Sequence, residues 1–292
     1  MNARQLIPNP VFIFLLLAFS AVKAQKKETG DIASIQYSLD KAGLYIQQSL
    51  YDSASPILDQ ALVQAKKSNF KKGEATAYDL LAEMMLTNGK MGEVEKYNSL
   101  IIPIAIQLKD TSLLINVYNR EGIYYMEKGK NKEAELSFNT ALNLGLEKQA
   151  SKKTAEVNSN LGSLYLALGE KDKAIDGFFK ALRLYEKNNS EVGMGETYSN
   201  ISSVYYLMGK VDDAIKYQKI SIVLREKIND KTGLVITNTN IGQLYILKES
   251  YPLAFQHLQK AVQYAEQLKK FKTDGCGLFR NGGLRKPYQK FF

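Results

Sequence analysis

The sequence repeats itself every 40 residues. Gly122, Gly162 and Gly242 share one register, with Ala82 and Ser202 at the same place in other units. Three residues on come Met85, Tyr125, Tyr165, Tyr205 and Tyr245. Four further on come Gly89, Gly129, Gly169 and Gly209, and Glu249 breaks that set. Ala54, Val94, Ala134, Ala174, Ala214 and Ala254 form a third set, followed by Ala61, Ile101, Ala141, Ala181, Ser221 and Ala261. Six units fit without insertion from Asp40 to about Lys272. A fixed period of this length means one supersecondary unit used again and again, each copy burying its faces against its neighbours.

Each unit reads as two helices. In the fifth, Tyr198, Ile201, Val204, Tyr205 and Met208 follow the i, i+3, i+4, i+7 spacing of an amphipathic helix. Gly209 supplies a helix end, and Asp212 suits the exposed amides of the next helix start. Ala214, Ile215, Tyr217, Ile220, Ser221 and Leu224 mark the second helix, and Asn229 to Gly233 turns the chain into the next unit. Small residues on facing surfaces let two helices approach closely, and the recurring tyrosine fills the gap with its hydroxyl kept wet. That packing logic places Tyr125, Tyr165, Tyr205 and Tyr245 in the core rather than in a stripe for stacking sugars or bases.

The run Asn160-Leu161-Gly162-Ser163-Leu164-Tyr165, then Gly169, Ala174, Phe178 and Ala181, resembles a tetratricopeptide repeat. The resemblance covers about Asp40 to Lys272. It implies an all-α fold: a right-handed superhelical solenoid of about six helix-turn-helix repeats with a concave inner surface. The 40-residue period resembles the longer repeats of kinesin light chain and of bacterial signalling proteins. The consensus Trp position holds Tyr78, Tyr118, Asn158, Tyr198 and Asn238 instead. Pro103 falls inside a second helix, where a kink or a lost hydrogen bond is expected.

The two ends depart from the repeat. Arg4, an apolar run from Val11 to Val22 and the small-residue site Val22-Lys23-Ala24 have the pattern of a cleaved secretory signal peptide over 1–24. The run is short for a membrane span. Export to the periplasm or the medium of a bacterium is expected, with no stable span in the mature chain. Residues 25–39 form a lead-in. From Thr273 the apolar period stops and four glycines fall within 273–292, so this tail is read as irregular, from a frameshifted or truncated seventh repeat.

Composition bounds the chemistry. The net charge of +9 hints at an anionic partner, yet residues 1–24 hold +2 of it and 273–292 hold +3. The remaining lysines and glutamates are interspersed, which argues against nucleic acid. One cysteine, Cys276, and one histidine, His257, exclude a Cys- or multi-His metal site. His257 has no matched partner set. Gly193-Met194-Gly195 lacks the lysine and the preceding strand of a phosphate loop. No nucleophile–base pair stands out, so no catalytic residue, metal or cofactor is assigned.

Asn160, Asn200 and Asn240 recur two residues before the small position, with Arg120 in the same place. In the long-period relatives an asparagine there hydrogen-bonds the backbone of an extended peptide. A carboxamide donates and accepts at once, which suits a peptide bond. Asn119, Ser163, Ser203 and Gln243 would line the same groove. The alternative is that each asparagine bonds its neighbouring repeat. The partner expected is a protein or peptide segment, with a glycan as the lesser option. An export signal followed by such repeats also resembles the sensor half of bacterial histidine kinases, so the rival expectation is a truncated sensor region of a kinase or related regulator. Oligomeric state is left open.

Overall fold

A computed structural model of the chain describes residues 31–146 and 152–274. Among them lie twelve helices and no strand. They are α1 (31–47), α2 (Tyr51–Lys67), α3 (Lys71–Thr87), α4 (Met91–Leu108), α5 (Thr111–Glu127) and α6 (Asn131–Leu146). Then come α7 (Lys152–Ala167), α8 (Lys171–Lys187), α9 (Glu191–Leu207), α10 (Val211–Lys227), α11 (Lys231–Leu247) and α12 (Tyr251–Asp274). Odd-numbered helices are the first helices of the repeats and even-numbered ones the second. The expected all-α repeat fold is what the chain forms. The helical array begins inside the expected lead-in, because α1 starts before Asp40. It runs to Asp274, just past the expected start of the tail. The signal-peptide segment, Cys276 and the rest of the tail lie outside the described residues.

The backbone repeats twice as often as the sequence. Ser49, Asn69, Gly89, Lys109, Gly129, Gly169, Asn189, Gly209, Asn229 and Glu249 all have positive φ, between 52° and 77°. Each ends a helix with the same pair of bonds. At Gly209, for example, its N–H donates to the Tyr206 carbonyl at 2.9 Å and the Lys210 N–H donates to Tyr205 at 2.9 Å. This left-handed cap satisfies the last helical carbonyls. Glu249 makes the same bonds with a φ of 56°, where four of its five counterparts are glycine and the fifth is Ser49. Glu249→Gly is therefore expected to stabilise the α11–α12 turn by about 0.5–1 kcal/mol, relief of Cβ strain outweighing the extra freedom of the unfolded chain. Thermal unfolding of the two proteins in parallel checks this, and a lower midpoint for the glycine variant would count against it.

The chain divides into two compact units at Leu113 and Leu114, inside α5. In the first, α3 packs on both α2 and α4. α4 runs through Pro103 unbroken. Of the two expected outcomes, the lost hydrogen bond follows from the ring, since Pro103 has no N–H to donate. In the second unit α7 pairs with α8, α9 with α10 and α11 with α12. α8 packs on α9, α10 packs on α11, and α7 also touches α9. The second unit is thus a helical solenoid in which first helices lie beside one another.

Its core follows the register. Ala134, Phe138, Ala141, Val157 and Leu164 form one cluster, Ala174, Phe178, Leu182, Ile201 and Val204 the next, and Ala214, Ile222, Leu234, Ile241 and Leu244 a third. Helix starts are held by side chains at two of the first helices here. Ser190 Oγ accepts from the Gly193 N–H at 3.4 Å and Asp230 Oδ1 accepts from Gly233 at 2.8 Å. Each satisfies an amide with no partner inside its own helix.

Candidate binding surface on the first helices of the second unit

The recurring tyrosines are part of the packing, as their spacing implies. Tyr245 is buried, and Tyr165 and Tyr205 lie against the cores. The Tyr165 hydroxyl donates to Glu135 Oε1 at 2.6 Å. Burial, then that bond and the carboxylate charge, push the Tyr165 pKa up to about 12, so it remains a donor. Tyr205 stacks on Tyr217 at 5.1 Å between ring centroids.

The asparagines separate into two groups. Asn160 Nδ2 donates to Asn119 Oδ1 at 2.9 Å, tying α7 to α5. At this repeat the donor is spent between neighbours. Asn200 and Asn240 are half-buried on α9 and α11. Arg120 does not present itself to a groove: it is only 5% exposed. The register of Asn160, Asn200 and Asn240 carries over to it but the exposure does not. Ser163 Oγ donates to the Ser159 carbonyl at 3.0 Å and Ser203 Oγ donates to Ser199 at 3.2 Å. Both hydroxyls keep lone pairs to accept with.

Three of the expected residues come together. Ser203, Asn240 and Gln243 line one open hollow of about 270 Å³, with Ser202, Tyr206 and Gln218. Leu244, Ile246 and Leu247 line it as well. No charged side chain lines it. Repeat five departs from repeat four at two of the positions that line it, Ser202 and Gln218. Where α7 and α8 meet through Gly162 and Phe178, α9 and α10 meet through Ser202 and Gln218. Ser202 Oγ donates to the Ala214 carbonyl at 2.8 Å, and Gln218 Oε1 accepts from Ser199 Oγ at 3.3 Å. A slender carboxamide stands where a phenyl ring filled the space. Ser202, Tyr206 and Gln218 were not among the expected site residues. The signal for Gln218 was in the register, as a polar residue at the position of Phe138 and Phe178.

His257 does have a partner. Asn238 Nδ2 is committed to the Leu234 carbonyl at 2.9 Å, so its Oδ1 accepts from His257 Nδ1–H at 2.9 Å. The imidazole stacks on Tyr245 at 5.6 Å. Burial, with Lys260 and Lys219 adding to it, lowers the His257 pKa. Asn238 stands at the consensus Trp position. Among the described residues no group of acidic, His or Cys side chains is arranged to hold a metal. No helix among them is long and apolar enough to cross a membrane.

Tetratricopeptide-repeat family models match residues 155–188 and 193–267. Solved structures share the fold. BtubC (BKLC) from P. vanneervenii is 20% identical, with 90% of this chain and 97% of that chain covered and a TM-score of 0.53. The apo form of RapI is 16% identical, with 82% and 68% covered and a TM-score of 0.63. Aspartyl phosphate phosphatase F from Bacillus subtilis is 14% identical, with 90% and 77% covered and a TM-score of 0.59. No curated protein matches the chain in sequence.

Proposed function

We propose that this chain, whose tetratricopeptide repeats imply a scaffold for protein–protein interaction, acts without catalysis, holding an extended, uncharged peptide segment against α9 and α11. The hollow carries the proposal: Ser203, Asn240 and Gln243 converge there beside Leu244, Ile246 and Leu247, with no charge among them. Carboxamides can pair with a peptide bond in both directions, and the apolar side suits one aliphatic or aromatic side chain. Because these groups stand on rigid helices, little ordering is needed on binding. An acidic terminal motif would lose its hydration here and gain no cation. Asn160, with Asn119, belongs to the neighbouring repeat contact and is given no binding role in this proposal. Export to the periplasm or the medium is part of the proposal and rests on the sequence of residues 1–24. The reading as a kinase sensor region draws no support from this surface.

An array of extended peptides graded from acidic to neutral, with and without one central apolar residue, tests the proposal. Retention of the neutral, apolar-centred set is expected. Asn240→Ala and Gln243→Ala should each weaken it by about 1 kcal/mol, the scale of one net hydrogen bond. Helicity should survive, because Ala is the better helix former. Preference for the acidic set, or binding indifferent to both substitutions, would remove the site.

A further inference from the structure

Repeat registers allow each helix face to be compared with its counterparts. At one first-helix position Ala77, Val117, Val157, Thr197 and Thr237 are all fully buried, while Tyr37 of α1 is 70% exposed. Seven residues on, Met84, Leu164, Val204 and Leu244 are buried, while Leu44 is 57% exposed. The second helices show the reverse end. Leu182 and Ile222 are buried where Val262 of α12 is 57% exposed, and Ile215 is buried where Phe255 is 66% exposed. Leu258 and Ala265 are half-buried at positions where every earlier second helix is buried. Phe255, Leu258, Val262 and Ala265 follow i, i+3, i+7, i+10 and make one uncharged stripe along α12.

These positions bury residues in the stacking of one repeat on the next. Ile215 and Ile222 of α10 share a core cluster with Leu234, Ile241 and Leu244 of α11. The stripe on α12 therefore asks for a helix of the first-helix type. The apolar register does not continue past α12: Asp274 at its end and Asn281 beyond it stand where α11 has Leu234 and Ile241. α1 is a first helix whose own stacking face is open at Tyr37 and Leu44.

We infer that the chain associates head to tail, with α1 of one copy stacking on the Phe255–Val262 stripe of α12 of another. The contact continues the α10–α11 interface across two molecules. Its two sides differ, so it is heterologous and each copy keeps one free end; assembly proceeds to open chains rather than closed dimers.

Sedimentation velocity of the full chain over a range of concentrations tests this. The wild type should grow past the dimer as concentration rises. Tyr37→Glu and Val262→Glu should each leave monomers, with association at least about tenfold weaker, because each sets a charge against an apolar face. Mixed in equal amounts, the two variants should form one heterodimer and stop, since each retains one sound face. Circular dichroism confirms folding, and Tyr37→Ser with Val262→Ser replaces the pair if either loses helicity. A wild type monomeric throughout, or association unchanged in either variant, overturns the inference. So does a dimer of Tyr37→Glu alone, which would mean that α12 pairs with α12.

Discussion

Gly162→Val should destabilise the second unit by about 3 kcal/mol, although glycine is a poor residue for a helix interior. An ideal Cβ at Gly162 would sit 2.9 Å from two ring carbons of Phe178 and 3.2 Å from the Ala174 carbonyl. Phe178 is fully buried among Ala174, Leu182, Ile201 and Val204 and has nowhere to swing. From the other side, a Cβ at Gly177 would meet the Gly162 Cα at 3.0 Å, so α7 and α8 are at their closest here. Branched methyl groups must push the helices apart, and overpacking of this kind costs about 1–3 kcal/mol, at the high end when backbone is involved. The gain in helix propensity, below about 1 kcal/mol, does not offset it. Repeat arrays need not unfold all at once, so hydrogen exchange resolved along α7 and α8 is the measurement to make. Phe178→Leu in the same chain should recover part of the loss, with a coupling of about 1 kcal/mol or more. Gly92→Ala is the control, because a Cβ there meets nothing within 4 Å. Equal stability of Gly162→Val and wild type, or strictly additive effects with Phe178→Leu, would show that the close approach does not matter.

Arg225→Ala should cost a similar amount for the opposite reason, by removing a polar group rather than adding an apolar one. The Arg225 side chain is 8% exposed. Its Nη1 donates to Asp230 Oδ2 at 2.5 Å and its Nε donates to Ser221 Oγ at 3.2 Å. Ser221 Oγ donates to the Gly195 carbonyl at 2.7 Å and lies 2.9 Å from Ser199 Oγ. Asp230 also caps α11 through Gly233. One guanidinium thus joins α9, α10 and the start of α11. Breaking a buried pair costs about 3–5 kcal/mol; Asp230 keeps 27% of its side chain in solvent, so the lower end, about 3 kcal/mol, is expected. Arg225→Lys should recover little, since one ammonium cannot hold both arms of the fork. Arg225→Met separates packing from polarity. If denaturant midpoints show Met as stable as Arg, the network contributes nothing and the stem alone matters.

Both residues bear on what a single sequence reveals. Gly162 was legible as a small residue in register, and its role as a point of close approach follows from that. Ser221 was equally legible, but only as small; its hydroxyl bonds to Gly195 and Arg225 depend on which helix faces it. Arg120 held the position of Asn160, Asn200 and Asn240, yet is buried, which the register alone does not decide. Asn119 and Asn160 bond each other because first helices of adjacent repeats lie side by side.

The 40-residue period, the small and aromatic registers and the left-handed glycines settle the local conformation and the mode of stacking from the sequence by itself, since both depend on spacing along one chain. The tertiary structure alone decided which polar groups are used up between neighbours and which face a hollow. It also decided that Tyr37 and Val262 are exposed where their counterparts are buried. Such outcomes depend on the volume and reach of side chains brought together from different helices, and a linear pattern does not encode the distance between them.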